Sequence, residues 1–173
     1  VYVFYKFWKA SQMNQLAVLT SGGDAPGMNA SLRAIVRSAN NKKINVYGVF
    51  NGFEGLIDDH LSELKPRQVG NIIQRGGSIL HTSRSKRFLN QKFRDQAREN
   101  LLKRNINSLI VIGGEGSLKG AKYLGQEGEI NVLGLPATID RDLPFVGPTI
   151  GFDTAINTAL QAIDRIRDTA STS

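Results

Sequence analysis

Short apolar runs that alternate with segments of helical periodicity constrain this 173-residue chain more than any other feature. Four of the runs, "LAVL", "INVYGVF", "SLIVIGG" and "INVLGLP", indicate β-strands. Near-continuous apolar strands separated by helices are typical of a parallel sheet that is covered on both faces. The sequence therefore predicts an α/β fold with a Rossmann-like, doubly wound, mostly parallel sheet and helices on both faces.

Apolar residues repeat at helical spacing in five segments. In the segment "KPRQVGNIIQ", Pro66 suits a first helical turn and leaves Val69, Ile72 and Ile73 on one face. The other four segments are "GMNASLRAIVRSANN", "QKFRDQARENLLKR", the stretch around Leu118, Ala121 and Leu124, and "FDTAINTALQAIDRIRD" with Ile156, Ala159, Ile163 and Ile166.

The composition excludes several kinds of site. Cysteine is absent and only two histidines occur, which excludes disulfides, a thiol nucleophile and a Cys/His zinc site. A metal bound here would need oxygen ligands. The formal net charge of +7 favours anionic ligands, and no uninterrupted apolar run approaches the ~18 residues of a membrane-spanning helix.

The first residues differ in composition from the rest, because five aromatic side chains occur in the first eight positions. We predict that residues 1–12 are a non-native or disordered extension and that residues 13–173 form the folded domain. A membrane-surface anchor or a partner strand is the alternative. The stretch does not resemble a signal peptide, since it has no charged amino-terminal region and no small-residue cleavage site.

Two glycine-rich segments follow strands of the predicted sheet, where ligands of such folds bind. In "TSGGDAPGMN", Gly22, Gly23 and Gly27 allow positive φ and a close approach of the backbone, and the following helix directs free amides at an anion. "GGEGS" offers the same arrangement after a second strand. Neither is a dinucleotide fingerprint or a Walker loop. Together they predict a phosphate-binding edge.

Carboxylates lie close to these segments. Glu115 lies among glycines, where an acid would repel phosphate unless Mg²⁺ lies between them, so Glu115 is a candidate Mg²⁺ ligand. Ser117 is placed to cap the next helix. Asp140 and Asp142, two residues apart in a loop expected to be extended, should face the same side, where one could accept a proton. The alternative is a solvated turn.

Four motifs, "TSGGDAPGMN", "GGEGS", "TIDRD" and "GFDTAINTALQAIDRIRDTASTS", together resemble the 6-phosphofructokinases from about Met13 onward. The resemblance implies a cytoplasmic glycolytic enzyme, usually a homotetramer, that uses ATP and Mg²⁺ to phosphorylate fructose 6-phosphate at its 1-hydroxyl, under control by ADP or phosphoenolpyruvate. It covers only the amino-terminal part of the family, the nucleotide-binding half and the catalytic loop. This part alone is expected to lack turnover.

The resemblance also implies roles for individual residues. Asp140 corresponds to the catalytic base, and Thr138, Asp140 and Asp142 to the sugar-phosphate loop. Arg33 and Arg37 correspond to an effector-binding stretch, and Glu115 to the metal ligand. The nucleotide-binding positions are Gly23, Arg84, Ser85, Gly114, Glu115, Gly116 and Ser117.

Several positions depart from the family pattern. Glu115 replaces the usual Asp, and Arg141 replaces the usual Asn, adding a positive charge that should weaken the neighbouring acids as proton acceptors. Leu89 stands where bacterial members commonly carry an arginine, Phe53 where a tyrosine on the nucleotide side is common, and Pro66 near the position of an effector arginine.

Two alternatives concern the ligand. Pyrophosphate-dependent relatives tend to carry an acid in place of Gly116 and a lysine in place of Ala137, so the small residues here favour ATP. A nucleic-acid-binding module is a second alternative, because residues 84–104 hold eight of the 22 basic residues. A solvated helix face explains that stretch equally well, since acids alternate with the bases.

Overall fold

The computed structural model describes residues 2–3, 14–144 and 146–172. The strands are β1 (Tyr2–Val3), β2 (Gln15–Ser21), β3 (Asn45–Val49), β4 (Leu61–Glu63), β5 (Ser108–Gly113) and β6 (Asn131–Pro136). The helices are α1 (Met28–Asn41), α2 (Gly52–Ile57), α3 (Gln91–Leu102), α4 (Glu115–Gln126) and α5 (Phe152–Ser171), with a 3₁₀ helix at Arg87–Leu89.

The described strands form one six-stranded sheet in the order β1-β6-β5-β2-β3-β4. The four central strands are parallel, while β1 and β4 pair antiparallel at the two edges. The carboxyl ends of β2, β5 and β6 therefore meet at one edge of the sheet. The predicted α/β, mostly parallel fold is confirmed.

Alternate residues of the central strands supply two separate cores. In β2, Leu19 faces the core that α2, α3 and α4 cover, whereas Val18 faces the core that α1 covers. In β5, Val111 and Ile112 divide in the same way. Strands with both faces buried need apolar residues at almost every position. This requirement explains why the four runs were recognisable in the sequence.

The helix predicted in "KPRQVGNIIQ" is wrong. Residues 66–75 form successive turns, with hydrogen bonds from the Gly70 amide to the Arg67 carbonyl (3.1 Å) and from Arg75 to Ile72 (3.1 Å). Asn71 has φ +54°, a left-handed conformation that ends a helix. The apolar periodicity reflected burial of Val69 and Ile72 in a loop that packs on the sheet.

The two ends of the chain differ in what the structure describes. Residues 1 and 4–13 lie outside the described residues, so the predicted extension at 1–12 remains a prediction. The backbone of Tyr2–Val3 pairs with β6 as a short edge strand.

α5 forms as predicted, but its apolar stripe is exposed rather than packed. None of the helices in the described ranges is long and apolar enough to cross a membrane.

Candidate active site

A pocket of about 640 Å³ lies beyond the carboxyl ends of β2, β5 and β6. Its walls come from the three loops that follow these strands and from residues 83–89. Arg33 and Arg37 lie on α1 and do not line this pocket. The predicted site residues that do line the pocket are Gly23, Arg84, Ser85, Gly114, Glu115, Gly116, Ser117, Thr138, Asp140 and Asp142.

The first two loops pack closely at Gly113. A Cβ atom at this glycine would lie 2.5 Å from the Ser21 carbonyl oxygen and 2.8 Å from the Ser117 Cβ. The end of β5 can therefore approach both β2 and α4 only without a side chain. Gly22 and Gly27 have φ +86° and +99°, as the glycine-rich sequence led us to expect, whereas Gly23 does not have a positive φ.

The start of α4 points into the pocket. Gly114 is its N-cap, and Ser117 lies buried in the first turn, so the predicted cap at Ser117 is wrong. The first helical hydrogen bond runs from the Leu118 amide to the Gly114 carbonyl at 3.0 Å. The amides that precede it are oriented toward the pocket by the helix and favour an anion there.

Glu115 is paired with a lysine that the sequence analysis missed. Lys119 lies one turn further along α4, and its Nζ atom is 2.7 Å from Glu115 Oε1. Both side chains line the pocket. The hydrogen bond from Lys119 to Glu115 raises the pKa of the lysine, and the charge of Asp142 adds to the effect. The i, i+4 spacing from Glu115 is the signal that would have found Lys119.

Hydrogen bonds within the third loop hold Asp140 in place. The Asp140 amide donates to Thr138 Oγ1 (3.1 Å), and Thr149 Oγ1 donates to the Thr138 carbonyl (2.7 Å). Thr138 is buried. The backbone of Asp140 is therefore fixed from within the domain while its side chain lies exposed at the pocket.

The backbone at Arg141, between Asp140 and Asp142, is left-handed and not extended as the sequence analysis expected. Its φ is +51°, so the loop is not extended, and the two aspartates share the pocket because of a left-handed turn. The Arg141 guanidinium lies 5.1 Å from the centroid of the Phe152 ring. Arg141 does not line the pocket, and no ion pair joins it to either acid among the described residues.

The pocket also has an apolar part along α4. The Phe53 and Phe88 rings stack with centroids 4.0 Å apart and form its floor. Gly120 packs against both rings, and Leu89 and Tyr123 are exposed nearby in the same lining. From Gly116 to Tyr123 the helix rises by about 10 Å. The pocket thus joins an anion-binding end to an aromatic one.

The comparisons with known proteins agree with this geometry. The model of the family described as phosphofructokinase matches residues 15–173. The chain belongs to the phosphofructokinase family. ATP-dependent 6-phosphofructokinases of Staphylococcus carnosus and Natranaerobius thermophilus are each 52% identical to it over 160 and 159 residues, which is 92% of this chain and 50% of theirs. The chain thus spans about half the length of these curated relatives.

Solved phosphofructokinase structures share the fold. The Saccharomyces cerevisiae phosphofructokinase superposes with a TM-score of 0.87 at 32% identity, over 92% of this chain and 24% of that one. A pyrophosphate-dependent phosphofructokinase of Marinobacter aquaeolei superposes with a TM-score of 0.77 over 93% of this chain and 44% of that one. Its identity of 23% shows a common fold only.

Within this phosphofructokinase-family domain, arginines of the basic stretch at residues 84–104 bind the domain's own carboxylates. Arg94 is nearly buried and donates from Nε to Glu127 at 2.7 Å, a hydrogen bond that raises its pKa. Arg87 pairs with Glu54 and Asp58, Arg98 with Asp95 and Arg104 with Asp59. Four of the eight basic side chains are thus engaged internally, which weakens the nucleic-acid alternative.

Proposed function

We propose that this chain forms the nucleotide-binding half and catalytic loop of an ATP-dependent 6-phosphofructokinase. The observation that carries the proposal is one pocket in which glycine loops, the start of α4, four carboxylates and an aromatic floor meet. Phosphoryl transfer depends on positioning and charge neutralisation, which these groups can provide. The names of the similar relatives support ATP as donor and fructose 6-phosphate as acceptor.

Asp140 is the proposed general base. Its carboxylate takes the proton of the 1-hydroxyl while that oxygen bonds to the γ-phosphorus, and the bond from the γ-phosphorus to the bridging oxygen breaks to release ADP. Thr138 supports this role by fixing the Asp140 backbone. Asp142 lies on the same wall to help orient the acceptor, and Arg84 is exposed there to balance charge on the transferred oxygens.

The donor set fits a magnesium ion that arrives with the nucleotide. No three His, Cys, Asp or Glu side chains in the described ranges are grouped so that they could hold a metal alone. Mg²⁺ in such enzymes needs only one or two carboxylates, with waters and phosphates completing its shell. Glu115 would supply the carboxylate, after exchanging Lys119 for the metal. The ion would neutralise phosphate charge.

ATP suits the pocket better than pyrophosphate does. At the aromatic end of the pocket, Tyr123 and Leu89 are exposed beside the buried Phe53–Phe88 stack, and they offer a nucleobase contacts that a bare phosphate donor would not use. A Cβ atom at Gly116 would meet nothing within 4 Å, so an acidic side chain there would project into open space beside the phosphate-binding amides. Such a charge would obstruct the α-phosphate of a nucleotide, a group that pyrophosphate lacks, and its absence supports the ATP-dependent reaction.

The resemblance extends the proposal to the whole enzyme. The complete protein would be a cytoplasmic homotetramer, with ADP or phosphoenolpyruvate bound as effector near Arg33 and Arg37. These two arginines lie four residues apart on α1 and therefore on one face of it, away from the pocket lining.

Binding to the chain itself tests the nucleotide part of the proposal. Calorimetric titration should show saturable binding of Mg²⁺-ATP and weaker binding of Mg²⁺-pyrophosphate. Glu115→Gln should weaken the Mg²⁺ dependence of ATP binding, whereas Glu129→Gln, a change at a glutamate that does not line the pocket, should not. Tighter binding of pyrophosphate or of duplex DNA than of ATP would contradict the proposal.

Catalysis is tested in a chimaera of this chain with the second half of the Staphylococcus carnosus relative. Asp140→Asn should lower kcat by about 10²–10⁴-fold and change the KM for ATP much less, because a general base acts in the transition state. Glu129→Gln, at an acid outside the pocket lining, is the control and should keep a near-normal kcat. A near-normal kcat in Asp140→Asn would assign the base elsewhere.

A further inference from the structure

We infer that Arg87 is a positioning residue that fixes the aromatic floor of the pocket and thereby sets the preference for the nucleobase. Arg87 does not line the pocket. The inference rests on the proposed function, because it requires a nucleotide in that pocket. It is carried by a pair of adjacent contacts that join α2 to the 3₁₀ helix.

The first contact is the ring stack. Phe53 belongs to α2 and Phe88 to the 3₁₀ helix, and their planes are inclined by 24°. Both rings are 4% exposed. Gly120 of α4 leaves room for them, since a Cβ atom there would lie 3.1 Å from the Phe53 ring and 3.4 Å from Phe88. A shift of either ring would therefore change the pocket floor.

The second contact joins the immediate neighbours of the two rings. Arg87 precedes Phe88, Glu54 follows Phe53, and the guanidinium donates from Nε to Glu54 Oε2 at 2.7 Å. Asp58, the residue that directly follows α2, accepts from Arg87 at 3.0 and 2.6 Å. The guanidinium also lies 5.5 Å from the Phe93 ring centroid. Arg87 thus has three contact partners, Glu54, Asp58 and Phe93. These contacts fix the position of the adjacent Phe88 ring relative to Phe53.

Residues 81–84, which precede the 3₁₀ helix and lead to the phosphate end of the pocket, are held by other hydrogen bonds. Ser83 Oγ donates to the Asn51 carbonyl at 2.6 Å, and Thr20 Oγ1 donates to the His81 carbonyl at 2.8 Å. These contacts hold the chain just before Arg84. Loss of Arg87 should therefore loosen the aromatic end of the pocket and leave the phosphate end in place.

The test compares two nucleotides that differ only in the base. Kd values for Mg²⁺-ATP and Mg²⁺-CTP are measured by calorimetry on the chain and on Arg87→Met. We expect the chain to bind ATP more tightly than CTP, because a purine is larger than a pyrimidine and contacts more of the aromatic end of the pocket. In Arg87→Met, the Kd for ATP should rise by about tenfold, a loss of ~1.4 kcal/mol of binding free energy. The ratio of the Kd for CTP to the Kd for ATP should fall.

Two further variants keep the test decisive. Glu54→Gln, which leaves the Asp58 contact, should change the preference in the same direction by less, and it serves if Arg87→Met does not fold. Arg104→Met removes a comparable pair with Asp59 (2.9 Å) outside the pocket and should leave the preference unchanged.

Three outcomes would overturn the inference: an unchanged preference in both Arg87→Met and Glu54→Gln, an equal change in Arg104→Met, or equal affinity of the unmodified chain for the two nucleotides. Failure of the unmodified chain to bind either nucleotide would instead contradict the proposed function.

Discussion

Helices α4 and α5 both begin after a glycine and both carry an apolar stripe, but only the stripe of α4 is covered. Leu118, Ala121 and Leu124 of α4 are buried, and the last two belong to the core between the helices and the sheet. α5 has no buried residue, and its Ile163 and Ile166 are 60% and 70% exposed. An amphipathic pattern therefore predicts a helix and its contact face, but it does not say whether the partner of that face lies in the same stretch of chain.

α5 is nevertheless anchored at its beginning. Gly151 has φ +102°, and a Cβ atom there would lie 2.8 Å from both the Ala25 Cβ and the Pro26 carbonyl oxygen. The neighbouring Ile150 forms a parallel bridge with Ala137. The two residues that precede α5 are thus bound to two loops of the pocket, whereas the helix itself has no buried residue.

The largest expected difference in stability is between core and surface positions of α4 and α5. Leu124→Ala removes a side chain that is 0% exposed and should lower the free energy of unfolding by about 2–5 kcal/mol. Ile163→Ala removes a side chain that is 60% exposed and should change it by less than about 0.5 kcal/mol. Urea unfolding followed by circular dichroism measures both. Similar losses in the two variants would mean that α5 is covered in solution.

Substitutions of one glycine at the start of each helix should change stability in opposite directions. Gly151→Ala should cost about 1–3 kcal/mol, since it combines a left-handed φ with a contact to backbone. Gly116→Ala, in the first turn of α4, meets nothing within 4 Å and should gain up to about 1 kcal/mol from helix propensity. Thermal unfolding compares the two. A neutral Gly151→Ala would contradict the anchor.

The two helices also show what could be predicted from the sequence. The buried strands and helices α1, α3, α4 and α5 followed from local apolar periodicity, and the pocket loops followed from glycines and acids directly after strands. The turns at residues 66–75 did not, because burial of Val69 and Ile72 imitates helical spacing while Asn71 adopts a left-handed φ. Pairings between distant segments, such as Arg87 with Glu54, have no periodicity in sequence that could indicate them.

A smaller effect concerns acid stability. Hydrogen bonds from Arg87 lower the pKa of both Glu54 and Asp58, with Ser85 adding to the first effect and the charge of His60 to the second. A carboxyl whose pKa is lowered by folding contributes stability above its unfolded pKa of about 4, and the contribution is lost as the pH falls through the folded value.

The unfolding free energy of Arg87→Met should therefore approach that of the unmodified chain as the pH falls from about 5 to about 3. Urea midpoints at several pH values measure this difference. Ile163→Ala, which is remote from these acids in sequence and largely exposed, should keep a constant difference and serves as the control. A difference for Arg87→Met that does not narrow in acid would show that these ion pairs do not contribute to stability.

The smallest expected effect lies at Arg141, which joins the pocket loop to the first residue of α5. Replacement by Ala removes the contact with the Phe152 ring, which is worth about 0.5–1 kcal/mol at an exposed site. Replacement by Asn removes the same contact, but Asn tolerates a φ of +51° better than other residues do and should recover part of the loss. Arg141→Asn should therefore be more stable than Arg141→Ala, and close to the unmodified chain, in urea unfolding. Equal losses in the two variants would show that the left-handed turn carries no strain, and a larger loss in Asn than in Ala would mean that the arginine backbone is not left-handed in solution.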